Sequence, residues 1–374
     1  MPDYDRFSGR LKQLLAYALD RVQCYVYHKK LARQEINCPK ESIVLSYGPV
    51  AGDQLRGGRT VTGGKVKLTY LHQRYPHAEQ HFNILYLVSS ALPRHAVTLV
   101  QWAKAQGVKV VLNQDGVAYP AWTSHYQHIN NELRNVISCA DLVIYQSYFC
   151  KEAADQFVGR APAMHTVINN CVDIEKFRQV HRSAADQITL LVAGSHYQRE
   201  RVIIPLYAQK MLRDRGYSVR LIVAGPLQWS DADDEIALLL KRLQLTEFVE
   251  IVGTYSHHDA PTLYARGDIL LHLKYKDPCP NVVIEAMACG LFAIGSRSGG
   301  LPELLGNCGA LLPVAESWDE MVYPTAVEVC DAIIEAADNL TARKNAARQR
   351  AVREFSSDSW IETHDHLFRR LLQG

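Results

Sequence analysis

Several features are scarce in this 374-residue sequence, and each scarcity closes off a class of protein. No run of about 18 apolar residues occurs, so no transmembrane helix is expected. The first residues lack the pattern of a secretory signal peptide. The formal net charge is only +2, which gives no bulk electrostatic case for nucleic acid. The nine cysteines are scattered, odd in number and without a close pair. That argues against a disulfide framework or a zinc site and points to a reducing, cytoplasmic compartment. Internal repeats and low-complexity segments are absent. No G-x-G-x-x-G follows the first strand-like run, which makes an NAD-dependent oxidoreductase the weakest enzymatic reading. What remains is ordinary globular material, 48% hydrophobic and 21% charged, and long enough for two or three domains.

Apolar strand patterns recur at 42–46, 83–90, 108–113, 141–147 and 165–170, and helical patterns near 94–106, 128–138 and 149–158 separate them. A second series follows at 188–194, 219–225, 248–253 and 268–275. Continuous apolar strands alternating with helices predict an α/β chain with parallel sheets covered on both faces. Ligands bind such sheets beyond the C-terminal strand ends. This draws attention to Ser89, Ser90, Asn113, Asp115, Gly116 and Ser147. A glycine-rich loop with Gly48, Gly52, Gly57, Gly58, Gly63 and Gly64 follows the first strand, and a helix then runs up to Pro76. Backbone can approach a ligand closely in such a loop, and Gly63 and Gly64 are the best candidates. An ordinary surface loop explains the glycines equally well.

The most informative stretch runs from Leu271 to Leu305 and reads strand, loop, helix, strand, loop, helix. Asp277 lies just past a strand end, and Glu285 lies eight residues on, inside a helix that Gly290 ends. Gly299 and Gly300 form a turn, and Pro302 suits the first turn of the next helix. Helix N-termini near Asn281 and Pro302 are aimed off one sheet edge, and their N–H groups suit a phosphate.

This stretch resembles the donor-binding motif of the retaining nucleotide-sugar glycosyltransferases of family 4, which have the GT-B fold. The resemblance rests on Asp277, on Glu285-Ala286-Met287-Ala288-Cys289-Gly290 and on Ser298-Gly299-Gly300-Leu301-Pro302-Glu303. The first acidic position is usually Glu in the family and is Asp277 here. The resemblance implies that Asp277 holds hydroxyls of the transferred sugar and Glu285 the ribose. Pro280, Asn281, Val282, Gly299 and Gly300 would complete that side of the donor site. Gly194 and Ser195 open a second donor loop, where Ser195 stands at the family's usual Arg position. Arg199 and Arg201 are therefore assigned to the diphosphate, which a guanidinium binds bidentately. Tyr255 stands where the family places the nucleotide base. A family His that touches the donor sugar has no counterpart after Asn113, so Asn113 and Asp115 are assigned to sugar hydroxyls in its place. No metal or other cofactor is required in this reading, because the basic pair neutralises the leaving group. The donor substrate would be a nucleotide diphosphate sugar and the acceptor a hydroxyl on a glycan, a lipid-linked compound or a small molecule.

The expected architecture is GT-B, two Rossmann-like domains facing across a cleft. The acceptor domain would span 41–180, the donor domain 181–356 with a hinge at 178–187, and a helix over 357–374 would return to the first domain. Residues 1–40 form an extension in which 9–34 carry an apolar stripe and a basic face. That pattern fits a helix packed on the first domain or one lying on an anionic inner-membrane surface. Two other functions share the fold and donor: a sugar-nucleotide epimerase, and a sugar-nucleotide-binding partner protein without catalysis.

Overall fold

The computed structural model describes residue 19 and residues 21–31, 33–36, 39, 42–56, 63–161, 164–180 and 187–373. Of the expected N-terminal helix, residues 21–31 are helical, and 9–18, 20 and 32 lie outside the described residues. So do Gly57 and Gly58 of the glycine loop and 181–186 of the expected hinge.

Two parallel sheets organise the chain. The first has the order β1-β2-β3-β4-β5, from β1 (Leu45–Ser46), β2 (Ile84–Val88), β3 (Lys109–Gln114), β4 (Leu142–Tyr145) and β5 (Met164–Val167). Strands β2 and β4 are buried throughout, as apolar runs in a doubly covered sheet must be. One face packs on helices Ala96–Ala105, Tyr126–Cys139 and Tyr148–Phe157, the other on helix Val66–Arg74.

The second sheet has the order β11-β10-β9-β6-β7-β8. Its strands are β6 (Ile188–Ala193), β7 (Val219–Ala224), β8 (Val249–Val252), β9 (Ile269–His272), β10 (Phe292–Ser296) and β11 (Gly309–Leu312). The chain enters at β6, moves one way to β8, then returns to the other side of β6 as β9. The connections after β6 and β9 therefore diverge, and a crevice opens at the C-terminal ends of these two strands. The order of the first sheet never reverses, so it has no such crevice.

The final helix, Ser357–Gln373, crosses back to the first domain. Its Trp360, Phe368 and Leu371 are buried with Leu45, Tyr86 and Ile144. Each such side chain contributes roughly 1.5–3 kcal/mol on burial, which makes the helix an integral part of that core. Where the chain crosses between domains its two passes touch: Val172 N–H donates to Phe355 O at 2.8 Å, and Ser357 N–H donates to Val172 O at 2.9 Å.

Some local expectations are corrected. The strand expected over 42–46 is only β1, two residues long. The glycine loop is interrupted by a helix, Pro49–Arg56. Gly48 leaves the strand with φ +76°, and Pro49, with its φ fixed, opens the helix. Gly52 inside it is required by packing, since a Cβ there would sit 2.1 Å from the His77 ring. The strand over 83–90 stops at Val88 because Ser89 and Ser90 turn to bond Asp115. Helices Ala232–Leu243 and Ala260–Tyr264 and strand β11 were not anticipated.

Candidate active site

A cleft of about 1580 Å³ lies between the domains, at the switch point of the second sheet. Its second-domain wall is built from the loops after β6 and β9 and the start of helix Asn281–Ala288.

The loop after β9 is strained and tightly braced. Lys276 adopts φ +50°, a region non-glycine residues rarely occupy. Its N–H donates to Ser298 Oγ at 3.1 Å, and Gly300 N–H donates to Asp277 O at 2.9 Å. A Cβ on Gly300 would stand 2.0 Å from Pro278 O, and one on Gly299 2.4 Å from Asp277 O. Both glycines thus exist to let this loop pack. This corrects their assignment to the donor: neither lines the cleft, and the Gly300 N–H is already used.

The brace aims Asp277 into the cleft. Its Oδ2 meets His272 Nε2 at 3.2 Å and Lys274 Nζ at 3.1 Å, while no protein donor among the described residues reaches Oδ1. Burial alone would raise the Asp277 carboxyl, but Lys274 and His272 more than offset it and hold it well below the usual range. Burial pushes His272 down, so the imidazole is neutral and donates from Nε2, the carboxylate being acceptor-only. Lys276, by contrast, points away, bonded to Glu316 at 2.6 Å and lying 3.8 Å from the Trp318 ring.

Glu285 projects from the second turn of helix Asn281–Ala288. Its Oε2 accepts from Tyr264 OH at 2.9 Å, and its Oε1 meets His257 Nε2 at 3.2 Å. Tyr255, beside it, lines the cleft with Pro280, Asn281 and Val282. The helix has no side-chain cap, and the first N–H groups, at Asn281 and Val282, have no acceptor among the described residues.

Arg201 is 5% exposed and closes the floor under the loop after β6. Its Nη1 donates to Ser195 O at 2.6 Å and its Nη2 to Ala193 O at 3.2 Å, while Nε is buried without a partner. No carboxylate among the described residues pairs with it. Gly194, with φ +105°, brings the loop backbone against Val282 and Arg201. A buried guanidinium without a carboxylate partner among the described residues, near N–H groups at a helix start, has the charge and donors to hold an anion. Arg199 differs from its neighbour: it is exposed and grips Glu235 through Nε at 2.7 Å and through Nη2. The two arginines expected to act together are therefore separated by role.

In the first domain, Gly64 and Asp115 line the cleft; Gly63 lies one residue further back. A Cβ on Gly64 would come 2.5 Å from Asp115 Oδ2, so the glycine permits close approach. Asp115 accepts from Ser89 Oγ, Ser90 Oγ and, at 2.9 Å, Ser90 N–H, which fixes its carboxylate. Asn113 is corrected: it lies behind the cleft wall. Its Oδ1 accepts from Lys67 Nζ at 2.7 Å and Gln146 Nε2 at 3.0 Å, and its Nδ2 donates to Tyr86 OH at 3.0 Å. Asn113 is 1% exposed and does not line the cleft, so its remaining amide N–H does not face a sugar. The rest of this wall is mixed: apolar Leu92, Val117, Trp122, Ile129, Leu133 and Phe149 stand beside polar Asn130, Glu132, Gln146 and Asn170.

Sequence reasoning missed Lys274, His272 and His257. The sequence held one signal for Lys274, a charged residue at the end of the apolar strand that leads into Asp277.

Residues 173–323 match the family model described as Glycosyl transferases group 1. The chain is 26% identical over 179 residues to the phosphatidylinositol N-acetylglucosaminyltransferase gpi3 subunit of Schizosaccharomyces pombe, covering 47% of this chain and 38% of that one. It is 26% identical over 270 residues to the phosphatidylinositol N-acetylglucosaminyltransferase relative from Arabidopsis thaliana, covering 67% and 59%. The chain thus spans 38% to 59% of the length of these relatives. Among solved structures it resembles Anabaena HepE in complex with UDP and glucose, with TM-score 0.64, 20% identity and coverage of 87% and 85%. It also resembles sucrose-phosphate synthase from Thermosynechococcus elongatus, with TM-score 0.61, 16% identity and coverage of 91% and 88%. The fold is GT-B.

Proposed function

We propose that this chain, whose residues 173–323 match the glycosyl transferases group 1 family, moves a sugar from a nucleotide diphosphate sugar to an acceptor hydroxyl with retention of configuration. The observation that carries the reading is Arg201, a buried cation with no carboxylate partner among the described residues, open to an anion at the switch point. Around it stand the groups a nucleotide sugar needs. Helix N–H groups and Arg201 take the diphosphate, Glu285 the ribose, Tyr255 the base and Oδ1 of Asp277 the transferred sugar.

The reaction follows from that placement. As the glycosidic bond to the diphosphate breaks, negative charge grows on the leaving phosphate, and the buried Arg201 stabilises it. The same phosphate oxygen takes the proton of the acceptor hydroxyl on the face the nucleotide leaves. The protein contributes position and electrostatics rather than a nucleophile, and no metal or other cofactor is required.

The acceptor would sit against the first-domain wall, whose Leu92, Trp122, Ile129 and Phe149 suit an apolar tail and whose Asn130 and Glu132 suit a hydroxyl-bearing headgroup. The relatives named for phosphatidylinositol support an inositol lipid as the first acceptor to try. The helix over 21–31 exposes Val22, Tyr25 and Val26, with Leu19 before it and Lys29 and Lys30 behind, which supports cytoplasmic work at an anionic membrane face. The test is to incubate the full chain with UDP-N-acetylglucosamine or UDP-glucose, with and without phosphatidylinositol vesicles. A glycosylated lipid is expected by mass spectrometry. An epimerised nucleotide sugar formed from donor alone would overturn transfer in favour of epimerisation. Donor binding without any turnover across a broad acceptor panel would favour the non-catalytic reading.

A further inference from the structure

The loop after β6 offers a diphosphate one committed cation where two would be expected. Ser195 carries no charge, and Arg199 is engaged by Glu235, which also accepts from Trp229 Nε1 at 3.0 Å. Lys276 is spent on Glu316. The lining of the cleft shows what fills the gap: of the lysines and arginines that line it, Arg201, Arg199, Lys276 and Lys274, the last is left.

Lys274 lines the cleft, with its side chain 39% exposed. Among the described residues its one partner is Asp277 Oδ2, 3.1 Å away. Arg201 and Lys274 line the same cleft as His272, and both charges oppose protonation of that buried imidazole. We infer that Lys274 supplies the second positive charge of the diphosphate site, reaching it from the loop after β9. Asp277 holds the ammonium in place before the nucleotide arrives, and the ammonium bridges that carboxylate and the outer phosphate afterwards. Lys274 is then a specificity residue as well, because it reads the second phosphate and not the first. This inference rests on the donor reading above.

The test compares wild type, Lys274→Met and Lys274→Arg by calorimetry with uridine, guanosine and adenosine diphosphates and the matching monophosphates. Wild type should prefer the diphosphate of its chosen base. In Lys274→Met that preference should shrink about tenfold or more, as expected for loss of a charge-assisted contact, with the monophosphate changed far less. Lys274→Arg should restore most of it. Thermal melts of all three report folding, and the exposed side chain makes the Arg variant a safe second probe. If wild type prefers a diphosphate and Lys274→Met keeps the same preference, the inference is wrong while the donor reading stands. Slowed turnover with an unchanged preference would mean that Lys274 only holds Asp277, which also overturns it. A wild-type chain that binds no nucleotide of the panel overturns the donor reading and this inference together.

Discussion

Replacing Glu285 by Gln separates a ligand-binding carboxylate from a structural one. The side chain is 9% exposed and its two oxygens face different neighbours. Tyr264, fully buried, has its hydroxyl pushed well above the usual range by burial and by Glu285, so it is always the donor to Oε2. A Gln carbonyl can take that bond over. The new amide then faces His257 Nε2, which can accept only by moving its proton to Nδ1 and giving up the exposed 3.4 Å contact from Lys176 Nζ. Both contacts of the side chain itself survive in neutral form, so the loss to stability should be about 1 kcal/mol, the gap between charge-assisted and neutral hydrogen bonds. For a chain of 374 residues that is roughly 1–2 °C in Tm. The ribose fares worse, because a hydroxyl that donated to a carboxylate meets an amide already committed on both sides. Donor affinity should fall by about 1–3 kcal/mol, or roughly fivefold to 150-fold in Kd. Calorimetry with the nucleoside diphosphate and its 2′-deoxy analogue reads this directly. Wild type should favour the ribonucleotide, and Glu285→Gln should lose that preference. A folded Glu285→Gln with unchanged affinity and unchanged ribose preference would refute the assignment.

Other outcomes follow from the same geometry. Asp277→Asn should slow transfer by about 10²–10³ while nucleoside diphosphate affinity changes much less, since the carboxylate acts on the sugar and not on the leaving group. A fully active variant would contradict it. Arg201→Met should weaken the diphosphate and slow transfer together, because charge grows there in the transition state; normal binding would count against the anion site. Gly300→Ala would place a Cβ 2.0 Å from Pro278 O, so it should lower Tm and activity together by displacing Asp277, with no added contact to substrate. His364 is buried and pushed down to about 4, chiefly by desolvation, with Lys67 adding to it. The unfolded chain takes up that proton first, so stability should fall as pH drops from about 6.5 to about 4, with a slope near 1.4 kcal/mol per pH unit. Urea melts of wild type and His364→Asn across that range check the sign. Finally, if the helix over 21–31 meets anionic lipid, vesicle flotation should be strong at low salt and fade as salt rises; no flotation at low salt rules it out.

The second domain was legible because its signals are local. An apolar strand followed by glycine, and Asp277 and Glu285 at fixed spacing on either side of a helix start, survive without knowledge of any partner. The first domain was harder. Asn113 sits at a strand end where ligands usually lie, yet it faces Lys67, Gln146 and Tyr86, which come from three other elements. No spacing rule reveals a network of that kind. Arg199 and Arg201 look equivalent in sequence, two residues apart. They differ because Glu235, from a helix that pattern reading did not find, claims one of them. Gly299 and Gly300 were noticed for the right chemical reason, backbone exposure, but the backbone they admit is the protein's own.

Glu303 reaches from the second domain to cap the first turn of helix Tyr148–Phe157, accepting from Tyr148 N–H at 2.8 Å and Phe149 N–H at 3.0 Å. Ser147 Oγ donates across the same seam to Pro278 O at 2.8 Å. Both donors of the cap sit at an exposed helix start, where water can replace the carboxylate when the domains part. Such contacts are worth about 1–2 kcal/mol in sum. Taken alone they would favour the closed form by only roughly fivefold to thirtyfold. Most of what holds the seam lies beside them: Trp318 stacks on Phe149, Ala121 N–H donates to Trp318 O at 2.8 Å and Asn170 Nδ2 donates to Cys279 O at 2.9 Å, so parting the domains must undo these contacts as well as the cap.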